Sequence, residues 1–408
     1  MSRDTLIELM RRTVAHGAAG TLPLAEDVRR IPAGHYCDAD RWRLEMDRVF
    51  RRAPLVMAFS CELRSAHSYK AMEVAGTPVL ITRGADGRAR AFVNMCSHRG
   101  AQVVQSGTTG ASRRLTCPYH AWTYDSDGAL VGVLDREHFG ELDSRCLGLT
   151  PLPCSERAGI VFVGLTPSSS IDIDTYLCGY GDMLEHLQLA DCTLVGRQWV
   201  EGPNWKVAYD GYLDFYHLPV LHKRTFGPDF PNRAIYDAWG PHQFVTSPDP
   251  RAAAALAAIP EDHWTDELLT MGVWTIFPHT SIASFPVAPD GVEGGGRIFM
   301  VSTLFPGDTP DSSITVQSFL ACFEPCEALL PAIEAQQSFL LGVVRDEDYL
   351  TGNGIQRAAK TGAKSEFLFG RNEGGGQRFH GWVDRLVAAE CDDDFVREFE
   401  QAEVVFAR

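Results

Sequence analysis

The chain carries two short segments, Cys96-Ser97-His98 and Cys117-Pro118-Tyr119-His120, that decide how its first half can fold. Each segment offers one thiolate and one imidazole in the same order, and 18 residues separate the two. Thiolates and imidazoles are metal ligands, so two such loops facing each other form a four-ligand site. Around them, residues 53–165 show short apolar runs, such as 78–82 and 159–164, between Gly, Asp and Ser turns. That pattern predicts an all-β domain.

Two kinds of metal site fit these four ligands. In a Rieske [2Fe–2S] cluster two cysteines hold one iron and two histidines hold the other, so each loop must reach both irons. Structural zinc also accepts two cysteines and two histidines, but zinc proteins usually separate paired ligands by two to four residues. The pair Cys96-x-His98 is tighter than that. The spacing therefore favours a Rieske cluster, which passes single electrons, and zinc is the alternative.

A second group of ligand-type residues follows about a hundred residues later. On one continuous helix, Asp210, Asp214 and His217 would share a face, because they stand four and then three residues apart. Pro219 would then disturb the helix and turn His222 back toward the same point. Two histidines with one distant carboxylate form the facial triad of non-haem Fe(II) oxygenases. A helix with an exposed acid and a buried, hydrogen-bonded histidine is the alternative.

The two groups together resemble one known family. CSHRG from Cys96 and CPYHAWTYDSDGAL from Cys117 are similar to the two cluster loops of Rieske proteins, with Ala121 where that family mostly has glycine. Followed by Asp-x-x-His-x4-His, this order resembles the large (alpha) subunit of Rieske non-haem iron oxygenases of the aromatic-ring-hydroxylating dioxygenase type. The resemblance extends over about residues 40–385. The cluster ligands that it implies are Cys96, His98, Cys117 and His120.

The same resemblance implies a mononuclear Fe(II) bound by His217, His222 and a late acidic residue. The family takes this third ligand from a Glu-Asp pair that a glutamine follows, and Asp348 and Gln356 match that pattern. Asp346 is the alternative ligand, because the residues from 346 to 348 are all acidic. A solvated acidic helix start, favoured by the helix dipole, would explain these acids without a metal.

Asp214 takes a catalytic role in electron transfer if the resemblance holds. Its carboxylate would bridge His217 of its own iron site and His120 of a neighbouring subunit's cluster. The active form would then be a homotrimer or an α3β3 assembly. Asp210 stands where the family often has asparagine. It could change the pKa of a carboxylate near the iron, face solvent, or pair with an arginine.

The expected fold is α+β, with an all-β Rieske domain and a catalytic domain whose curved antiparallel sheet is covered by helices, of the helix-grip type. The resemblance implies in addition that residues 1–52, with a helix at Leu6–Val14, pack with the catalytic domain. Residues 53–165 would form the Rieske [2Fe–2S] domain, and residues 166–408 the mononuclear iron domain. Candidate pocket walls, each of which also suits a core position, are Phe226, Trp274, Phe277, Phe285 and Phe305.

Length and composition agree with an enzyme. The 408 residues are 45% hydrophobic, which is enough for two cores. A formal net charge of −16 argues against general affinity for nucleic acid or anionic membranes. The N-terminus lacks the apolar stretch of a signal peptide, and no apolar run reaches membrane-spanning length. Eleven cysteines without a disulfide framework predict a reducing cytoplasm.

The electron donor should be a separate protein, a ferredoxin and/or an NAD(P)H reductase, because the sequence contains no dinucleotide fingerprint. Arginines near the cluster loops outnumber the single acid Asp86 and suggest a docking surface for an acidic donor. These arginines are Arg83, Arg88, Arg90, Arg99, Arg113 and Arg114.

The expected function is that of a terminal oxygenase component. It would take electrons through the Rieske cluster, activate O2 at the mononuclear iron, and hydroxylate, once or twice, an aromatic or related hydrophobic small molecule. The natural setting would be aromatic hydrocarbon catabolism. An oxidative O- or N-demethylase or monooxygenase on the same metals is the alternative, and a Rieske electron carrier without oxygenase activity is a remote one. The ligand motifs do not identify the substrate.

Overall fold

A computed structural model describes residues 2–169, 171–289 and 291–407. The chain forms two compact units. The small unit is Phe50–Ile173, and the large unit comprises the chain up to Val49 and from Asp174 onward. The divisions thus fall after 49 and after 173, where the sequence predicted 52 and 165. Among the described residues, no helix combines the length and the apolar character needed to cross a membrane.

Helices lie mainly in the large unit, and all paired strands of the described residues are antiparallel. In chain order the helices are α1 (Ser2–Ala19), α2 (Ala39–Glu45), α3 (Ile173–Leu177), α4 (Tyr180–Leu184), α5 (Trp205–Leu213), α6 (Leu218–Leu221), α7 (Pro250–Ala257), α8 (Asp266–Leu269), α9 (Leu330–Gly342), α10 (Tyr349–Ala359), α11 (Gly374–Ala388) and α12 (Asp392–Glu400). Two wider, π-helical turns lie at Met46–Phe50 and Val343–Asp348.

The strands are short in the small unit and long in the large one. In chain order they are β1 (Arg29–Pro32), β2 (Leu55–Phe59), β3 (Ser68–Val74), β4 (Thr77–Arg83), β5 (Ala89–Val93), β6 (Thr109–Ala111), β7 (Arg114–Thr116), β8 (Thr123–Asp125), β9 (Leu130–Gly132), β10 (Pro151–Leu152), β11 (Cys154–Arg157), β12 (Ile160–Val163), β13 (Thr193–Gly202), β14 (Ile235–Trp239), β15 (His242–Thr246), β16 (Val273–Ile276), β17 (Thr280–Val287), β18 (Gly296–Pro306), β19 (Ser313–Ala321), β20 (Glu366–Phe369) and β21 (Val404–Val405).

The small unit is built from three antiparallel sheets, with strand orders β10-β5-β4-β3-β6, β11-β12-β2 and β7-β8-β9. Every residue of β2 and of β12 is buried, as expected for the continuous apolar runs LVMAF and IVFV. The first cluster loop follows β5, and the second connects β7 to β8. The sheets therefore hold both loops at their ends, as the predicted all-β domain requires.

The large unit contains an eight-stranded antiparallel sheet of order β13-β19-β18-β17-β16-β15-β14-β21. The predicted strands near 273–285 and 298–305 correspond to β16, β17 and β18, so the α+β class and the antiparallel catalytic sheet are confirmed. Helix α5 begins at an N-cap, where the Asn204 side chain accepts a hydrogen bond from the Lys206 backbone N–H at 2.9 Å. This helix leads directly to the second ligand group.

The N-terminal helix α1, which contains the predicted helix Leu6–Val14, is part of the large unit. Its buried residues are spaced three or four apart along one face and include Leu6, Met10 and Gly17. A Cβ atom at Gly17 would lie 2.7 Å from the Ala253 Cβ of α7. Glycine at this position therefore lets α1 and α7 pack closely.

Candidate iron–sulfur, iron and substrate sites

The two cluster loops of the small unit are turns of the same design. The Gly100 N–H donates to the Cys96 carbonyl at 2.9 Å, and the Ala121 N–H donates to the Cys117 carbonyl at 3.0 Å. Gly100 and Ala121 both have positive φ, +77° and +58°. Glycine adopts this conformation freely, whereas alanine does so at a cost. The turn geometry thus explains why the resembling family mostly has glycine at the position of Ala121.

The structure places the two predicted cysteines in one buried cluster of the small unit and brings the two predicted histidines together. Cys96 and Cys117 are buried, with 2% exposure each. The rings of His98 and His120 lie 4.5 Å apart between centroids. The His98 Nδ1 atom is buried without a hydrogen-bond partner among the described residues, as a nitrogen reserved for a metal would be. Two thiols and two converging imidazoles fit a [2Fe–2S] cluster.

Neighbouring aromatic residues complete this site. The Tyr124 hydroxyl donates to the Cys96 sulfur at 3.3 Å and accepts from the Ser97 N–H at 2.9 Å. Burial and the bond to Cys96 raise the pKa of Tyr124 to about 12, so the phenol keeps its proton. Trp122 stacks on His98 with 5.0 Å between ring centroids. The sequence had given these two aromatic residues no role.

Only some of the six arginines near the cluster loops are exposed and form no ion pair with an acidic side chain in the described residues. Arg83 is buried and donates to both Glu156 oxygens, and Arg90 pairs with Asp86 and Asp127. The expectation that these two contribute free positive charge is wrong. The arginines that remain exposed are Arg88, Arg99, Arg113 and Arg114.

In the large unit, His217, His222 and Asp348 come together. The two Nε2 atoms lie 3.2 Å apart, and the Asp348 Oδ1 atom lies 3.5 Å from His217 Nε2 and 3.0 Å from His222 Nε2. Asp348 Oδ1 is buried and makes no hydrogen bond within the described chain. Three donor atoms therefore surround one point, with ligand types that suit a facial Fe(II) site.

A carboxylate orients each imidazole from its far side. His217 Nδ1 lies 3.0 Å from Asp214 Oδ2, and His222 Nδ1 lies 2.6 Å from Glu347 Oε2. Glu347 also accepts from the Thr225 hydroxyl at 2.9 Å. Such contacts fix the Nδ1–H tautomer and direct the Nε2 lone pair inward. Glu347 is a site residue that sequence reasoning missed, although the Glu-Asp pair that contains it was noted.

The three consecutive acids have three different surroundings. Asp346 is exposed and pairs with Arg345 at 2.6 Å. Glu347 contacts His222, and Asp348 points between the two imidazoles. The wider helical turn Val343–Asp348 separates their directions. The geometry therefore favours Asp348 over Asp346 as the metal ligand.

The expectation of one continuous helix through 210, 214 and 217 is wrong. Helix α5 ends at Leu213, and Asp214 is an extended C-cap residue whose Oδ1 accepts from the Tyr216 N–H at 2.6 Å. The chain then turns into α6, which has Pro219 in its first turn, a position that proline tolerates. The helix therefore breaks before the proline, at a carboxylate that caps the turn.

The charges of this site are coupled. Burial disfavours the imidazolium of His217, but the contacts of its ring with the carboxylates of Asp214 and Asp348 outweigh burial and raise its pKa to about 9. The pKa of His222 is raised in the same way, against burial, by Asp348 and Glu347. The pKa of Asp348 is lowered, because both imidazoles offset its burial. The carboxylates thus create a negative electrostatic potential that favours a cation at this point, either a proton on an imidazole or a metal ion.

Asp210 turns away from the metal group. Its Oδ2 accepts from the Tyr36 hydroxyl at 2.8 Å, and its Oδ1 lies 3.0 Å from His380 Nε2. Tyr36 and His380 are themselves 2.9 Å apart. This buried contact ties α5 to the turn before α2 and to α11. Asp210 pairs with a tyrosine and a histidine, which was not among the alternatives considered from the sequence.

A cavity of about 590 Å³ opens beside the metal group, and His217, His222 and Asp348 form part of its wall. The rest of the wall is mainly apolar and includes Phe226 and Phe285. Phe226 packs edge-on against His222 at 5.3 Å and continues to Phe230 at 5.3 Å. Apolar walls with a few convergent polar groups are typical of small-molecule sites.

Two of the five predicted wall residues line this cavity, Phe226 and Phe285. Trp274 and Phe277 belong to the buried core instead, each with 1% exposure, and Phe305 packs against His279. Neighbouring strand residues point to opposite faces, so Val273 lines the cavity while Trp274 stacks on Phe244. Further wall residues come from elements the sequence had not linked to the site, among them α1 and α7.

Family models match both units. Residues 53–141 match the Rieske [2Fe-2S] domain, and residues 189–389 match the ring hydroxylating alpha subunit (catalytic domain). The first contains the two cluster loops. The second contains both histidines and Asp348.

Curated relatives are the carnitine monooxygenase oxygenase subunit of Escherichia coli K12 (36% identity over 195 residues), the glycine betaine monooxygenase oxygenase subunit of Pseudomonas aeruginosa UCBPP-PA14 (29% over 193) and the benzene 1,2-dioxygenase subunit alpha of Pseudomonas putida (31% over 201). Each match covers 47% of this chain and 52%, 44% and 44% of these relatives, respectively. The chain thus spans about half the length of the curated relatives that it matches.

Solved structures share the fold over most of the chain. A quaternary ammonium Rieske monooxygenase in complex with its substrate gamma-butyrobetaine has a TM-score of 0.71 at 23% identity, covering 88% of this chain and 96% of that one. Naphthalene 1,2-dioxygenase from Rhodococcus sp. bound to indole has a TM-score of 0.71 at 20% identity, covering 96% and 100%. With its Rieske domain and its alpha-subunit catalytic domain, the chain belongs to the Rieske non-haem iron oxygenase family.

Proposed function

We propose that this chain is the terminal oxygenase component of a monooxygenase system that oxidises a small quaternary ammonium or other N-methylated compound. The observation that carries the proposal is the group His217, His222 and Asp348 in the wall of an aromatic-lined cavity. This is the demethylase or monooxygenase alternative of the sequence analysis. The carnitine and glycine betaine monooxygenase relatives favour this function over the hydroxylation of an aromatic compound.

The residues divide into two metal sets. Cys96, His98, Cys117 and His120 would hold the [2Fe–2S] cluster, and His217, His222 and Asp348 would hold the mononuclear iron. When bound, the cluster supplies single electrons and the Fe(II) supplies O2 activation. The chain's own contribution is to bind substrate, orient the ligands and exclude water.

Aromatic walls suit an N-methylated cation. Phe226 and Phe285 line the cavity, and the faces of such rings attract quaternary ammonium groups that have left water. The rings also offer methyl groups an apolar surface. Phe226 lies against His222, so a cation held there would present a methyl group near the metal group.

Asp214 is proposed as the link for electrons between two copies of the chain. Its carboxylate already contacts His217 Nδ1, and its side chain is 29% exposed, so one oxygen can still meet a neighbour. In the small unit His120 is partly exposed next to the exposed Tyr119. A neighbouring copy's His120 could therefore reach Asp214, which requires an oligomer, a homotrimer or an α3β3 assembly in our proposal.

The electron donor is proposed to be a separate ferredoxin or reductase that docks on exposed arginines. Arg99, Arg113 and Arg114 are exposed near the cluster loops. Transfer from an acidic donor would slow as salt increases. Charge reversal at Arg113 and Arg114 should slow it further, and unchanged rates in that variant would contradict this surface.

Aromatic hydroxylation is the second candidate. The mainly apolar cavity favours it, and the benzene dioxygenase alpha subunit is 31% identical over 201 residues. Uncharged rings would fill the same aromatic walls through the hydrophobic effect alone. Substrate charge therefore separates the two candidates.

A single-turnover assay tests the function without the unknown donor. Protein loaded with both metals is reduced with dithionite, freed of excess reductant, and mixed with O2 and either a quaternary ammonium compound, its neutral tert-butyl isostere, or benzene. We expect oxidation of the cation, with formaldehyde or a cleaved amine as product, and little with the isostere. Products from benzene alone would support the second candidate.

Two variants control this assay. Asp214→Ala should keep the visible spectrum of the cluster and lose product, because the electron path is cut. Asp348→Ala should lose product through loss of iron. Oxidation of no compound by protein with both metals, or full turnover in Asp214→Ala, would overturn the proposed function or its electron path.

A further inference from the structure

Two thiols and a guanidinium form one row across the large sheet. Thr193 of β13 and Ile298 of β18 both pair with Ala321 of the strand between them, β19. Continuing this register by one residue sets Cys192 and Arg297 on either side of Cys322. Directly opposed residues of antiparallel strands project from the same face of the sheet. Consistently, the Cys322 N–H donates to the Arg297 carbonyl at 2.9 Å.

The two sulfur atoms are in direct contact. Their Sγ atoms lie 3.2 Å apart, and Cys192 is buried with 1% exposure while Cys322 is exposed. The Cys322 thiol is thus accessible to small molecules, whereas the Cys192 thiol is buried beside it. Directly opposed residues of antiparallel strands have Cα atoms about 4.5–5.5 Å apart, which is within the range that a disulfide spans.

The surroundings favour a thiolate at Cys322. Either sulfur can donate in the contact between Cys192 and Cys322; this contact lowers the pKa of Cys322, with help from Arg297 and against the partial desolvation of the sulfur. Arg297 is itself held in place, since its Nη1 donates to Thr270 Oγ1 at 2.7 Å and its guanidinium lies 4.4 Å from the Phe299 ring centroid. Thiolates beside arginine are the reactive form of cysteine.

We propose that Cys192 and Cys322 are a covalent modification site, a dithiol that a small disulfide such as oxidised glutathione converts reversibly into a cross-strand disulfide. This inference is independent of the proposed function. It would be the first covalent link between β13, the edge strand of the sheet, and β19.

The exchange balances in two steps. The Cys322 thiolate attacks one sulfur of oxidised glutathione, whose S–S bond breaks and releases one glutathione thiolate, which leaves a Cys322–glutathione mixed disulfide. The Cys192 sulfur then gives its proton to solvent and attacks Cys322, and the second glutathione leaves. Two protein thiols are oxidised, one glutathione disulfide is reduced to two thiols, and the two protons end on glutathione.

The experiment uses metal-loaded protein incubated anaerobically in glutathione buffers of increasing oxidised fraction, then alkylated and digested for mass spectrometry. We expect a peptide pair linked through Cys192 and Cys322, with loss of two alkylatable thiols and their return with dithiothreitol. Cys192→Ser should stop at the Cys322–glutathione mixed disulfide. Cys326→Ser, which removes a nearby exposed thiol, should leave the linked pair unchanged.

A second measurement follows reactivity without oxidation. The alkylation rate of Cys322 should reach half its maximum at lower pH than that of a cysteine in a short unstructured peptide, and Arg297→Gln should move this midpoint upward. Linkage of Cys322 to Cys326, or a Cys192–Cys322 pair still reduced when Cys326 has become glutathionylated, would overturn the proposal.

Discussion

The two metal sites of this chain are assembled in opposite ways. All four candidate cluster residues fall within the 25 residues from Cys96 to His120, on two turns of the small unit. The candidate iron ligands are His217, His222 and a carboxylate 126 residues beyond His222. A site made of local turns can be recognised by spacing, whereas a site made of distant helices depends on the whole fold.

The supporting contacts differ in the same way. In the small unit, Tyr124 of β8 donates to the sulfur of Cys96, which lies only 28 residues earlier in the chain. In the large unit, Glu347 reaches His222 from a helix 125 residues away. A destabilising substitution far from the metal should therefore weaken metal binding at the iron site more than at the cluster.

The largest expected effect separates the two sites completely. Asp348→Ala should remove the mononuclear iron and leave the cluster, so that iron falls from about three to about two per chain at two sulfides. Cys117→Ser should remove the cluster. Asp346→Ala is the matched control and should keep all three irons, measured as iron and acid-labile sulfide. Loss of iron in Asp346→Ala instead would reassign the ligand.

A buried ion pair should make the large unit sensitive to a change outside the metal group. Lys206 of α5 contacts Glu45, both fully buried, and Glu45 also accepts from Arg41 at 2.9 Å. Lys206→Met should lower the free energy of unfolding by about 3 kcal/mol, the low end for a broken buried pair, because Arg41 still faces Glu45.

Urea unfolding followed separately in the two units measures this effect. Lys360→Met is the control, since the Lys360–Asp311 pair is exposed and should contribute less than about 1 kcal/mol. Equal losses in both variants, or a loss in the small unit, would contradict the contrast between the units.

Protons should compete with metal only at the iron site. Because the pKa of His217 is about 9 in the metal-free form, its imidazole carries a proton at neutral pH. A metal must displace that proton, so affinity should fall about tenfold per unit as pH drops from 8 to 6. Anaerobic Fe(II) titrations of protein that retains its cluster measure this slope, and a flat profile would disprove it.

Orientation of His222 should matter less than its presence. Glu347→Ala should weaken Fe(II) binding by about 10–100-fold, because the imidazole loses the acceptor at Nδ1. Glu347→Gln should recover part of the loss, since its amide oxygen can still accept. Equilibrium iron titration decides, with the exposed Asp346→Asn as control. An unchanged affinity in Glu347→Ala would remove this residue from the site.

The smallest effect belongs to the cluster. Tyr124→Phe removes one hydrogen bond to the Cys96 sulfur, of about 0.5–1.5 kcal/mol, which corresponds to a potential lower by about 20–65 mV for one electron. The bond favours the reduced, more negative cluster. Redox titration of the visible spectrum measures the shift. Tyr69→Phe, which packs on the same core, should leave the potential within a few millivolts.

Sequence patterns predicted what depends on local spacing or on alternation. The cluster loops, the strands near 273–305 and the N-terminal helix follow from such patterns. The end of α5 at Leu213 was missed, because a helical face through 214 and 217 looks continuous until a side chain caps the turn.

Contacts between residues that are distant in the chain could not be predicted from the sequence. Nothing local distinguishes Glu347 from Asp346, whose surroundings differ only once the fold is formed. Asp210 contacts Tyr36 and His380, and these two partners come from opposite ends of the chain. The row of Cys192, Cys322 and Arg297 requires the strand register, which single sequences do not display.

The wide turn at Val343–Asp348 has a consequence for how this site can change over evolutionary time. A π-helical turn holds one residue more than an α-helical turn. Loss of the codon for Arg345 or Asp346, which do not line the cavity, would restore a regular helix and rotate Asp348 by about 100° relative to α9. The metal ligand would then leave the imidazoles while the sheet and core stayed intact. A single in-frame deletion could thus separate the proposed metal site from a cavity whose residues are all retained.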